Sequence, residues 1–209
     1  MVLKPHLEDI KIIGYYLGKI ILGLGLAMLL PIIIGLAFGE INPTLDFLIG
    51  TEITLIFGLI LSKLCFTEKD LNWMQGMIVV SLSWLAAMLL GAIPLYLSGH
   101  WKSYLDACFD AMSGFATTGL VLVQDLDHLS YTHNLWRHLI MFIGGQGIVI
   151  VALSFFVRGA SGALKMYVGE ARDEKVLPNV IHTSRFIWLV SIVYLILGTL
   201  ALGAVGVLN

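Results

Sequence analysis

The sequence predicts an all-α membrane protein, and three observations carry that prediction. Hydrophobic residues make up 58% of the 209 residues and charged residues only 12%, about half of the roughly 25% charge of a soluble domain. Five segments reach the ~20 apolar residues that a helix needs to cross a bilayer. One amphipathic run, too short to cross, lies between the third and the fourth of them.

The spans are taken in order. Ile12–Phe38 is the first, and Pro31 should kink it because proline lacks the N–H that the helix ladder needs. Lys4, His6, Glu8, Asp9 and Lys11 precede it without a cleavage site, so it reads as a retained span and not a signal peptide. Thr44–Phe66 and Met74–Leu97 come next, the latter bent near its outer end by Pro94. Ser103–Phe115 fits a half-span. Leu135–Val157 and Phe186–Val207 complete the set.

Lysine and arginine orient the chain. With the N-terminus in the cytoplasm, Lys4, Lys11, Lys63, Lys69, Arg158, Lys165, Arg172, Lys175 and Arg185 fall inside, and only Lys102 and Arg137 fall outside. Lys19 stands two turns into the first span and can snorkel inward. This asymmetry requires residues 98–134 to enter and leave on the same side, which favours a re-entrant loop over a sixth crossing.

Ser113-Gly114-Phe115-Ala116-Thr117-Thr118-Gly119 lies in that loop. Non-helical backbone is tolerated at membrane depth only where protein buries it or water reaches it. Carbonyl oxygens of a Thr-Thr-Gly turn can replace the hydration shell of a cation. The alternative is an external turn in which Gly119 simply supplies a positive φ.

Six outer carboxylates accompany the loop: Glu40, Asp46, Asp106, Asp110, Asp125 and Asp127. Such a rim concentrates cations. Glu40 and Asp46 read as ordinary solvated loop residues. Asp106 and Asp110 share one helix face, and a structural role outweighs a direct electrostatic one, with Arg137 as a candidate partner. Gly144-Gly145-Gln146-Gly147 should allow close helix packing, with a hinge as the alternative. Glu52, inside the second span, should hydrogen-bond a neighbouring hydroxyl or backbone group. His128, His133 and His138 read as an interfacial cluster and not a metal site. Cys65 and Cys108 read as small core residues. A net charge of −2 gives no reason to expect nucleic acid. No paired nucleophile and base suggests an enzyme. The segment Arg158–Arg185 mixes both charges and suits either a solvated loop or a docking surface for a soluble regulator.

The stretch from Asp106 to Gly119 (Asp-Ala-Cys-Phe-Asp-Ala-Met-Ser-Gly-Phe-Ala-Thr-Thr-Gly) resembles the first pore motif of the Trk/Ktr superfamily of potassium uptake proteins. The likeness continues through Leu135-Trp136-Arg137 and Gly144-Gly145-Gln146-Gly147, then Glu170-Ala171-Arg172 and Pro178. The two spans before Met74 resemble the additional leading pair of the TrkH/TrkG branch.

The resemblance implies two leading transmembrane helices (residues 1–70), then one helix–re-entrant pore loop–helix repeat (71–158). A cytoplasmic link (159–180) and the first helix of an incomplete second repeat (181–209) would come after it. It implies potassium transport through a pore of four such repeats, with no organic cofactor. Thr117, Thr118, Gly119 and Leu120 would form one of four filter segments around K⁺. Asp106, Asp110, Arg137, Gly144, Gly145 and Gly147 would support it. Ala116 stands where a third Thr is common, and Gln146 replaces a common Met. Family members are dimers in the bacterial inner membrane, gated by a cytoplasmic nucleotide-binding ring of the TrkA/KtrA kind. One repeat cannot close a fourfold filter. The chain is therefore expected to be the N-terminal portion of a longer transporter, with a truncated, non-conducting subunit that scaffolds or regulates a full transporter as the alternative.

Overall fold

The computed structural model describes residues 7–147 and 180–206. All regular elements among them are α-helices. The chain divides into two compact units between Gly144 and Gly145.

In the first unit, α1 (Leu7–Ala27) and α2 (Leu29–Phe38) succeed one another with a break at Met28. Pro31 explains the place of the break, because it cannot donate to the carbonyl four residues back, that of Ala27. Gly39 stops α2 with φ 71°. Its N–H reaches the Leu36 carbonyl and the Glu40 N–H reaches that of Gly35, the usual left-handed helix stop.

α3 (Ile41–Leu64) returns along α1. Glycines let the two backbones touch. A Cβ built on Gly18 would lie 2.7 Å from the Ser62 amide nitrogen, and one on Gly58 would lie 3.0 Å from that of Leu22.

α4 (Trp73–Leu97) opens with a capping box. The Asn72 side chain accepts from the Gln75 N–H (2.8 Å), and the Gln75 side chain accepts from the Asn72 N–H (2.9 Å). Gln75 Nε2 also donates to Asp9 Oδ1 at 2.7 Å, which fixes the start of α4 against that of α1. α5 (Tyr104–Phe115) is short and capped by Ser103, which accepts from the Asp106 N–H at 3.1 Å. α6 covers residues 131–147 of the described chain.

Trp136 of α6 is fully buried at the centre. Its indole N–H donates to the Gly91 carbonyl at 3.0 Å, and its ring meets Phe47 edge-on at 5.9 Å. Met28, Ala92, Leu95, Ala107, Ala111 and Phe115 complete this core. Ile33, Leu36, Ile56, Phe57 and Leu85 point outward, as on a lipid-facing surface. In the second unit, α7 (Val180–Ala204) exposes its apolar side chains from Phe186 onward, and Gln146 Nε2 donates to Ser191 Oγ at 2.9 Å.

Leu7–Phe38, Ile41–Leu64, Trp73–Leu97 and Arg185–Ala204 are long and apolar enough to cross a membrane. They correspond to four of the five expected spans. The other, Leu135–Val157, is described only to residue 147. Most of the expected link, and the boundary at residue 158, lie outside the described residues.

Three expectations are corrected. Glu40 and Asp46 are not plain solvated loop residues, since both engage α6 from the α2–α3 corner. Glu52 forms no hydrogen bond among the described residues and stands exposed midway along α3. The three histidines do not cluster. His128 pairs with Asp125 on the surface at 2.7 Å. His133 is buried, with Nε2 donating to the Pro94 carbonyl at 3.0 Å, so its Nδ1 accepts the Ser130 hydroxyl at 2.7 Å. His138 lines a separate cavity beside Asp110.

Candidate functional site

α5 ends against the glycines of its neighbours. A Cβ on Gly144 of α6 would overlap the Phe115 carbonyl oxygen, and one on Gly91 of α4 would come 3.1 Å from the Phe115 ring. Trp84 closes over that ring edge-on at 6.4 Å. The C-terminal end of α5 is thus clamped between α4 and α6. The partial negative charge of a helix C-terminus adjoins the next segment, residues 116–120.

In that segment successive N–H groups turn back onto the last carbonyls of α5: Ala116 to Met112 (2.8 Å), Thr117 to Gly114 (2.9 Å) and Thr118 to Ser113 (3.0 Å). The Thr118 hydroxyl lies 2.9 Å from Ser113 Oγ and donates to the Ser113 carbonyl at 3.1 Å. Donors are therefore spent inward. Among the described residues, no hydrogen bond uses the carbonyls of Thr117, Thr118, Gly119 or Leu120. All four residues are exposed. Thr117 has φ 57° and Gly119 φ 74°. A positive φ is uncommon for threonine and marks local strain.

Asp110 anchors the returning segment. It is 5% exposed and accepts from the Trp101 indole N–H at 2.7 Å. The backbone amides of Leu122 and Val123 and the Arg137 guanidinium also face it. Arg137 forms no close ion pair with Asp110, contrary to the pairing considered from sequence. Its Nη1 donates instead to Asn134 at 3.4 Å. A cavity of about 210 Å³ separates these groups, lined by Asp110, Ser113, Gly119, Arg137, His138 and Met141. Asp106 stands apart in the first turn of α5, where a carboxylate favours the helix dipole. Of the glycine run, Gly144 is the one that meets the end of α5 in the first unit.

Sequence reasoning missed Trp101, the bonds that Ser113 makes to Thr118 and the role of Glu40. The Glu40 carboxylate accepts from the N–H groups of Tyr131 and Thr132, both at 2.9 Å, and from the Thr132 hydroxyl at 2.6 Å. It caps α6 from across the fold. Asp46 Oδ2 lies 3.5 Å from His133 Nε2, one turn further along. The only sequence signal was the position of Glu40 directly after a helix-stopping glycine.

Burial raises the Glu40 pKa, but the hydrogen bonds from Thr132 and Tyr131 outweigh it and hold the carboxyl below its ordinary value of 4.5. A group depressed on folding stabilises above its unfolded pKa and stops doing so as pH falls through the folded one. Glu40→Ala should therefore lower the melting temperature at neutral pH, by the ~0.5–2 kcal/mol typical of a lost helix cap. The difference from the unmodified protein should vanish in acid, below pH 4.5. Melting curves of both proteins across the acid range check this, and a difference that persists at low pH would contradict it.

The family profile for TrkH, described as a cation transport protein, matches residues 45–206. The chain belongs to this TrkH family. The "uncharacterized cation transporter MJ1485" of Methanocaldococcus jannaschii is 37% identical over 195 residues, covering 93% of this chain and 41% of that protein. The Trk system potassium uptake protein TrkG of Escherichia coli is 26% identical over 200 residues, covering 91% and 40%. The crystal structure of the potassium transporter TrkH from Vibrio parahaemolyticus superposes with a TM-score of 0.66 at 20% identity, covering 89% of this chain and 37% of that one. That likeness bears on fold alone. The chain spans about two fifths of the length of these relatives.

Proposed function

We propose that this chain contributes one selectivity-filter segment, Thr117–Leu120, to a potassium uptake pathway. The observation that carries the reading is a run of four exposed residues whose carbonyls have no hydrogen-bond partner among the described residues, set at the negative end of a short, partly buried helix. Carbonyl oxygens in that setting replace the hydration shell of a monovalent cation. The Thr118 hydroxyl is already bonded to Ser113, so its backbone oxygen is the group left for the ion. The names of TrkG and TrkH, potassium uptake proteins, support K⁺ as the cargo.

In this reading residues 98–134 enter and leave on one side as a re-entrant pore loop, and further repeats supply the other three filter segments. Asp110 and Gly144 position the segment: the first ties down the returning chain, the second admits the end of α5. The N-terminus faces the cytoplasm of a bacterial inner membrane. Two copies pair, and a cytoplasmic nucleotide-binding ring gates them. Transport runs down the electrochemical gradient, each K⁺ gaining about 2.3 kcal/mol per 100 mV.

The deciding experiment is ion uptake into vesicles that hold the native protein, with K⁺ and Na⁺ compared under an inside-negative potential. K⁺ uptake well above that of Na⁺ is expected. Uptake that does not distinguish the two, or none, would sink the proposal.

A further inference from the structure

We infer that the N-terminal end of the α1–α3 pair binds the headgroup of an anionic phospholipid between Lys19 and Lys63. The two helices run antiparallel, because Gly14 meets Cys65 while Gly25 meets Leu55. Gly18 faces Ser62 at backbone distance. In an α-helix each residue turns about 100° from the one before. On antiparallel partners the next residue of each therefore swings to the same side of the pair. Those residues are Lys19 and Lys63.

Ring contacts place the same side independently. Lys19 Nζ rests 4.4 Å from the Tyr15 ring centroid and 5.9 Å from that of Tyr16. Tyr15 in turn meets Phe66, three residues past Lys63, edge-on at 5.6 Å. Lys19 thus rests over an aromatic floor that reaches the turn just after Lys63. Both lysines are exposed, and neither has an ion-pair partner among the described residues. Lys69, nearer the helix start, is already paired with Glu8 at 2.7 Å.

Depth selects the occupant. From Lys19 to the end of α2 at Phe38 is about 20 residues, or about 30 Å of helix, the thickness of the hydrocarbon core. With Phe38 at one boundary, Lys19 reaches the other. Its side chain leans toward the helix N-terminus, into the headgroup layer. Two adjacent cations at that level repel one another, and a headgroup phosphate with net negative charge relieves the repulsion. A neutral zwitterion does so less well. Tyrosine at the same level suits the interface.

The test is native mass spectrometry of the protein released from nanodiscs made of equal phosphatidylglycerol and phosphatidylcholine. Preferential retention of phosphatidylglycerol is expected. A lysine near an anionic leaflet contributes about 1 kcal/mol, a factor of about five. Lys19→Gln or Lys63→Gln should each cut the preference about fivefold, the double variant should abolish it, and the arginine replacements should keep it. Equal retention of the two lipids by the unmodified protein would overturn the inference, as would a double variant that retains phosphatidylglycerol fully. Loss of a dimer in the double variant, with lipid retention unchanged, would assign the face to a second copy and overturn it equally. None of these readouts depends on ion flux, so the result stands apart from the filter reading.

Discussion

Replacing Gly119 with valine should abolish potassium flux while leaving the protein assembled in the membrane. Gly119 has φ 74°, and a Cβ built on it would meet nothing within 4 Å. The first added carbon therefore meets no obstacle, and the leading effect is on backbone conformation. An L-residue at positive φ costs roughly 1–2 kcal/mol, and a β-branched one is a genuine outlier there. The simplest relief is to rotate φ to negative values, which turns the neighbouring carbonyls away from their present directions. Misdirected carbonyls cannot take over an ion's hydration shell. Gly119→Ala should do the same to a lesser degree, and neither variant should change the melting temperature by much. Vesicle uptake together with size-exclusion behaviour measures both sides of this. Full flux from the valine variant would remove residues 116–120 from the ion path.

Gly144→Ala should be the most damaging single methyl group that can be added to the α5–α6 contact. The added carbon would overlap the Phe115 carbonyl oxygen. That obstacle is backbone, so no rotamer change removes it, and the end of α5 or the axis of α6 must move. Overpacking of this sort typically costs 1–3 kcal/mol, occasionally more. The displaced element carries residues 116–120, so flux should fall with stability. Gly23→Ala supplies the comparison, since its Cβ would meet nothing within 4 Å and alanine favours helix. Melting in detergent should separate the two variants clearly. A Gly144→Ala protein as stable as Gly23→Ala would show that α5 and α6 do not meet at backbone distance.

The helices were legible because lipid imposes a simple rule on sequence. Runs such as Met74–Leu97 announce themselves by length and apolar content, and the observed α4, Trp73–Leu97, differs by one residue. Pro31 marked a break because its backbone chemistry is local. The short α5 was legible from its brevity, with the expected start at Ser103 one residue before the observed Tyr104. What escaped were interactions set by tertiary proximity. Asp110 looked equally suited to Arg137, yet its close partner is Trp101, and nothing along the chain distinguishes an indole that will donate from one that will only pack. Gly144 abuts α5 at backbone distance, and composition alone did not single it out within the glycine run, because helix phase decides which glycine faces a neighbour. Glu52 looked destined for a local bond and shows none among the described residues. Glu40 read as an ordinary loop acid because the groups it serves lie far along the chain.

That last separation has a consequence for how the chain is made. Glu40 and Thr132 are 92 residues apart. A ribosome adding about 5–20 residues per second reaches Thr132 roughly 5–20 s after Glu40. During that interval the first two helices leave the translocation machinery with the Glu40 carboxylate unoccupied at their corner. α6 then arrives with its first N–H groups uncapped and docks onto a receptor already in place. The N-terminal helices thus serve the later ones as an assembly template, and removing the Glu40 carboxylate should slow their insertion more than it disturbs the finished protein.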